Sequence, residues 1–195
     1  MSDAETLRVY AAKARDYEAM SEGRVFPALP AFLAELPEGG RVLDLGCGPG
    51  LEAAYMAQAG FVVEAMDASP EMVALAQARA GVSAVQASFD QLSALGRYDG
   101  IWAAFSLLHA PRAEMPSHLA AIARALKPGG VLGLTLKEGQ GEARDQLGRF
   151  YCYYAEEELR QLLADVGLTV TSLSRGAGTG LDGTSAPWLS VLAHG

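Results

Sequence analysis

The chain reads as a doubly wound α/β domain: a mostly parallel, seven-stranded sheet with helices on both faces and one antiparallel strand supplied by a C-terminal hairpin. Three observations carry that expectation. From about residue 40 to 170, short apolar runs alternate with segments of helical periodicity, the pattern of strand–helix–strand crossovers. The first run opens directly into a glycine-rich turn, Gly46-Cys47-Gly48-Pro49-Gly50. The last two runs have no helix between them, which favours a hairpin over a crossover.

Taken in order, Leu7, Tyr10, Ala14 and Tyr17 recur at helical spacing and predict an amphipathic helix over residues 4–20. A second helix spans 28–36 and ends at Pro37 and Gly39-Gly40. Residues 41–45 form a strand, 51–59 a helix stopped by Gly60, and 61–66 the next strand. Ser69 then reads as an N-cap with Pro70 at the first helical position, and Gly81 closes that helix. Strands follow at 83–87, 100–105 and 131–136, and helices at 114–126 and 155–166. Strands 168–174 and 188–193 flank a flexible, glycine-rich hairpin loop, 175–187. Its Gly178–Ser185 stretch has Thr184 where a phosphate-binding loop needs lysine, and no helix follows it.

Length and composition narrow the function classes. A chain of 195 residues is expected to form one domain, with residues 1–38 as a helical lid and 39–195 as the core. A formal net charge of −8 disfavours a partner held through many phosphate contacts, so no nucleic acid is expected. No apolar run approaches the roughly 20 residues that span a bilayer, and Met1-Ser2-Asp3-Ala4-Glu5 lacks the features of a secretory leader. Cys47 and Cys152 have no metal-like spacing, so no metal is expected and a reduced, cytoplasmic monomer or homodimer is the natural reading.

The glycine turn is the main functional signal. Glycines allow positive φ and close approach of a ligand, and the helix that follows aims its unpaired N–H groups at it. A dinucleotide fingerprint needs a third glycine at the position of Leu51, which argues against a nucleotide-dependent oxidoreductase. The run 42–50, with Asp44 two residues before Gly46, resembles the first motif of the class I S-adenosylmethionine-dependent methyltransferases. Four further segments resemble that family in order and spacing: Glu64–Met72, Val85–Phe89, Tyr98–Ala103 and Leu126–Leu132. The resemblance covers roughly residues 40–170 and implies a Rossmann-like fold. S-adenosyl-L-methionine is then the cofactor, S-adenosyl-L-homocysteine the product, and a small molecule the methyl acceptor. A module that binds this cofactor without catalysis is the alternative.

The resemblance also implies site residues. Gly46, Cys47, Gly48 and Gly50 cradle the cofactor. Asp67, 21 residues after Gly46, takes the ribose hydroxyls, or is a helix-entry acid. Asp44, an acid in an apolar strand, meets the cofactor ammonium or the N–H groups of the turn. Ala68, Met72 and Ala103 line the same pocket. Ser88 stands where many members have an acid, so adenine rests on its hydroxyl, on backbone groups, on stacking against Phe89, or on Asp90 in place of the acid. Tyr10 and Tyr17 resemble the cofactor-facing lid. His109, past the end of the fourth strand, is the candidate base or a turn residue. The charged segment 137–154 offers Arg144, Arg149 and Tyr153, with Arg112 nearby, as acceptor-binding residues or as a salt-bridged loop. Cys47 is not read as a nucleophile, for no histidine is near it.

Overall fold

The structure, a computed structural model, describes residues 3–195; Met1 and Ser2, which open the acidic N-terminal stretch, lie outside the described residues. Two short helices come first, α1 (Ala4–Ala12) and α2 (Ala14–Ser21), where one continuous helix was expected. The break is at Lys13, whose backbone leaves the helical region (φ −115°, ψ 19°). Tertiary contacts explain it. Asp3 caps α1 by accepting from the Thr6 N–H at 2.8 Å and also receives Arg144, whereas Glu18 of α2 pairs with Arg79 on a different surface. α3 (Leu29–Ala34) is shorter than expected, with Pro30 in its first turn.

The alternating core follows. β1 (Arg41–Leu45), α4 (Leu51–Gln58), β2 (Val62–Asp67), α5 (Pro70–Gln77), β3 (Val82–Gln86) and β4 (Tyr98–Ala104) all lie within a few residues of expectation. Ser69 is the N-cap of α5, accepting from the Met72 N–H at 3.3 Å. Next come α6 (Met115–Ala125) and β5 (Leu126–Lys137). β5 begins five residues before the expected strand, because Leu126 pairs with Tyr98 ahead of an irregularity in register at Lys127-Pro128-Gly129-Gly130. The charged segment then folds into a small antiparallel hairpin, β6 (Glu142–Arg144) with β7 (Phe150–Cys152), rather than remaining a loop. α7 (Glu156–Ala164), β8 (Thr169–Thr179) and β9 (Ser185–His194) complete the chain.

The seven-stranded sheet has the order β3-β2-β1-β4-β5-β9-β8. β1 to β5 run parallel, and β9 is antiparallel to both β5 and β8, as the hairpin reading required. The expected long loop 175–187 is largely strand: pairing continues to Thr179 and Ser185, and only the tip turns. Side chains alternate across the sheet into two cores. Leu43, Leu45, Ile101 and Leu134 meet the α6 and α7 face, while Val42, Val63, Ala65 and Trp102 meet α3, α4 and α5. Strand order reverses between β1 and β4, and the crevice at their carboxyl ends is the natural ligand position in such a sheet. No helix among the described residues is long and apolar enough to cross a membrane.

Candidate functional site

The glycine turn is pinned to β2. The Gly46 and Cys47 N–H groups both donate to the Met66 carbonyl, at 2.7 and 2.9 Å. Gly46 has φ +78°, and a Cβ there would come within 2.2 Å of the Ser106 Cβ. Ser106 in turn donates to the Leu45 carbonyl at 2.6 Å. The end of β1 and the segment after β4 are thus locked together through a gap only glycine fits. Beyond the turn, the Tyr17 ring lies in van der Waals range of the position a Gly48 Cβ would take, so α2 covers the mouth of the turn.

Three carboxyl groups converge here. Asp44 is 3% exposed at the end of β1. One of its oxygens takes the Ala53 N–H in the first turn of α4, and Oδ2 has no partner. Burial, and then the charges of Glu52 and Asp67, push its pKa well above the usual carboxylate range. Glu52, also raised by burial, accepts from the Trp102 indole N–H at 2.6 Å. Asp67 accepts from the Gly48 N–H at 2.8 Å and from the Ser69 N–H at 2.9 Å, and burial again outweighs these bonds and raises its pKa. Arg79, whose guanidinium reaches the turn, donates to the Pro49 carbonyl and pairs with Glu18. A cluster of acids with no facing cation among the described residues suits a cationic ligand, since an unpaired buried carboxylate is costly.

A second cluster stands beside it. The His109 Nδ1 lies 2.6 Å from the Phe150 carbonyl and Nε2 2.8 Å from the Tyr10 hydroxyl. A carbonyl only accepts, so Nδ1 carries the hydrogen and Nε2 accepts from Tyr10. Arg149, 1% exposed, donates from Nη1 to the Tyr10 oxygen at 3.1 Å and is neutralised by Asp145, with Asp182 at 3.9 Å. Burial, aided by the Arg149 and Lys137 charges, pushes the His109 pKa down to about 4. Tyr151 lies against His109 with ring centroids 4.6 Å apart, and the Lys137 ammonium is 3.7 Å from the centre of the Tyr151 ring. Tyr10 meets Tyr17 edge to face at 5.6 Å, joining this cluster to the glycine turn.

The remaining candidates divide. Phe89 reaches within 3.5 Å of the position a Gly46 Cβ would take, and its edge meets His118. The Ser88 hydroxyl donates to Asp90 at 2.7 Å in a tight capping turn closed by Gln91. The Ala68 carbonyl accepts from Gln86. Met72 and Ala103 are buried, Ala103 inside the α6-side core. Cys47 is a buried thiol whose pKa burial raises, which removes the thiolate a nucleophile needs. Arg112 is bound to Glu158 and to the Gly141 and Tyr153 carbonyls, away from His109. Arg144 is exposed and bound to Asp3, Glu5 and the Gly148 carbonyl. Tyr153 is half-buried against Gly139. Sequence reasoning did not single out Glu52, Lys137, Tyr151, Asp145 or Asp182. A cation at the carboxyl end of a central strand was the readable signal for Lys137. Asp182 is delivered by the hairpin tip, which has no local signal for it.

A family profile described as a methyltransferase domain matches residues 17–173. An uncharacterised methyltransferase of Synechocystis sp. is 34% identical over 115 residues, covering 56% of this chain and 52% of that protein. The ubiquinone biosynthesis O-methyltransferase of Xanthomonas oryzae pv. oryzae is 38% identical over 104 residues, 50% of this chain and 43% of its own length. The chain spans about half the length of the curated relatives it matches. Among solved structures, the 1,6-didemethyltoxoflavin-N1-methyltransferase of Burkholderia thailandensis superposes with a TM-score of 0.81 at 26% identity. The match covers 98% of this chain and 87% of that one, whose crystal holds 1,6-didemethyltoxoflavin and S-adenosylhomocysteine.

Proposed function

Because this chain belongs to the class I S-adenosylmethionine-dependent methyltransferase family, we propose that it is a working enzyme that methylates a small organic acceptor. The observation that carries this reading is the Tyr10–His109 hydrogen bond at the β1–β4 crevice, a neutral imidazole presented through a hydroxyl beside the glycine turn. The two named relatives, one acting on 1,6-didemethyltoxoflavin and one in ubiquinone biosynthesis, support a small acceptor.

In this reading the residues fit the cofactor. The partnerless Asp44 Oδ2 answers its ammonium, and the glycines leave room for the backbone to approach it. Each Asp67 oxygen keeps a lone pair free for a ribose hydroxyl beyond the N–H it already accepts. Ala68, Met72, Phe89, Ser88 and Ala103 shape the adenine side. When bound, S-adenosylmethionine supplies an electrophilic methyl group on a sulfonium sulfur. The protein's work is to hold a nucleophile in line and keep water out. Residues 1–38 act as the lid, placing Tyr10 and Tyr17 over the turn. Tyr10 takes the acceptor's proton while passing its own to His109 Nε2, and Arg149 holds the Tyr10 oxygen in place. Arg149 and Tyr153 face the acceptor, whereas the ion pairs of Arg112 and Arg144 brace the β6–β7 hairpin from outside. The setting is cytoplasmic, with both cysteines kept as thiols.

Methyl transfer from labelled S-adenosylmethionine to a panel of phenols, hydroxy acids and N-heterocycles tests this directly. Turnover should fall about 10²–10⁴-fold in His109→Ala and comparably in Tyr10→Phe. Undiminished S-adenosylhomocysteine binding with no transfer to any acceptor in the panel would favour a binding module instead.

A further inference from the structure

Asp44, near the end of β1, stands opposite Trp102 in the β1–β4 register, and Glu52, from the first turn of α4, accepts the Trp102 indole N–H, so two elements bring the two acids into one neighbourhood. Asp44 Oδ2 is buried without a partner. Among the described residues, Glu52 is engaged with the Trp102 indole N–H and the Phe26 backbone. The titratable groups that face the pair are Asp67 from β2, Cys47 from the turn and Tyr17 from α2. None of them is cationic, and Arg79, whose guanidinium reaches the glycine turn, is already paired with Glu18. Two carboxylates set together in a partly desolvated place, with no cation among the titratable groups facing them, favour a state in which one keeps its proton.

We propose that Glu52 is a second carboxylate of the cofactor's ammonium seat: the half-buried Glu52 and the buried Asp44 form an acid pair that keeps one proton in the free protein and releases it when the cation binds. The inference rests on the reading of Asp44 as the ammonium partner. The balance is simple. A carboxyl O–H bond breaks, its proton passes to the buffer, and the two carboxylates then face one ammonium. Binding is therefore opposed by acid, and affinity for the cofactor falls with pH in proportion to the proton released. The raised pKa values of both acids agree with this arrangement. Glu52 also fixes Trp102, so the seat is tied to the centre of β4.

Calorimetry of S-adenosylhomocysteine binding to the intact protein, in buffers of different ionisation enthalpy, reads the proton directly. At neutral pH the wild type should release about one proton per ligand, and its Kd should rise up to about tenfold per pH unit on acidification. Glu52→Gln keeps an acceptor for the indole N–H and removes the second charge. Its release should drop below half and its pH dependence should flatten. Asp67→Asn should bind more weakly yet still release the proton. A buffer-independent binding enthalpy in the wild type, or full release from Glu52→Gln, overturns the proposal. If Asp44→Asn binds as tightly as the wild type, the ammonium reading of Asp44 itself fails. If Asp44→Asn weakens binding while the wild type releases no proton, only the paired-acid inference fails.

Discussion

At the scale of single residues, Asp67 has the geometry to combine two jobs that sequence reasoning set against each other. Its carboxylate already closes the turn, through Gly48 and Ser69, and keeps lone pairs for a ligand. Asp67→Ala is expected to lose hydrogen bonds to a charged acceptor, at about 1.5–3 kcal/mol each. The fall in affinity, by calorimetry, should therefore come with a lower melting temperature. Unchanged affinity in the folded variant would leave only the structural job. His109 sets a pH effect of definite sign. It takes up a proton near pH 6.5 when unfolded and only near pH 4 in the fold. The unfolded state therefore binds the proton first, and stability falls as pH drops from 6.5 towards 4. His109→Gln should show a shallower loss of melting temperature across that window. Gly46→Ala should be severely destabilising, because it combines positive φ with a Cβ driven into Ser106.

At the scale of elements, the boundaries that the sequence marked well are those with local causes. Ser69-Pro70 starts α5 through a serine cap that any reader of the chain could expect. The features it hid have distant causes. Lys13 breaks the first helix because α1 and α2 are held by different partners, Arg144 and Arg79, far along the chain. Glycine content made 175–187 read as a loop, but pairing with β9 overrides that composition. Gly176 even makes room for the Trp188 ring, which a Cβ there would meet at 2.2 Å. Asp3 both caps α1 and pairs with Arg144, and neither role was read from the sequence. The Arg144 guanidinium holds its carboxyl far below the usual range. Asp3→Ala should cost about 1 kcal/mol from the cap, seen as faster hydrogen exchange confined to α1.

At the scale of the whole molecule, alternation gave the layers, while the order of strands came only from the structure, because pairing depends on crossovers that local pattern does not encode. The same holds for the site. The glycine turn and Asp67 were legible from spacing. The contact of His109 with Tyr10, 99 residues apart in sequence, was not. Ligand binding at the β1–β4 crevice should stabilise the entire fold. S-adenosylhomocysteine at a hundredfold excess over its Kd should add about 2.7 kcal/mol, a rise of several degrees in Tm for a domain of this size. An unmoved Tm at that concentration would mean that the ligand binds the unfolded chain equally well.

The bond between Tyr10 and His109 joins a helix outside the sheet to the scaffold beneath it. Arg149 and the Phe150 N–H, bound to the Thr6 hydroxyl at 2.8 Å, fasten the same helix to β7. In the proposed mechanism the proton acceptor is therefore an interlock rather than a fixture. Were α1 to lift, the imidazole would lose its hydroxyl partner at the moment the crevice opened to water. Under that mechanism transfer would proceed only in the shut position, and an acceptor would find no competent base while solvent had access.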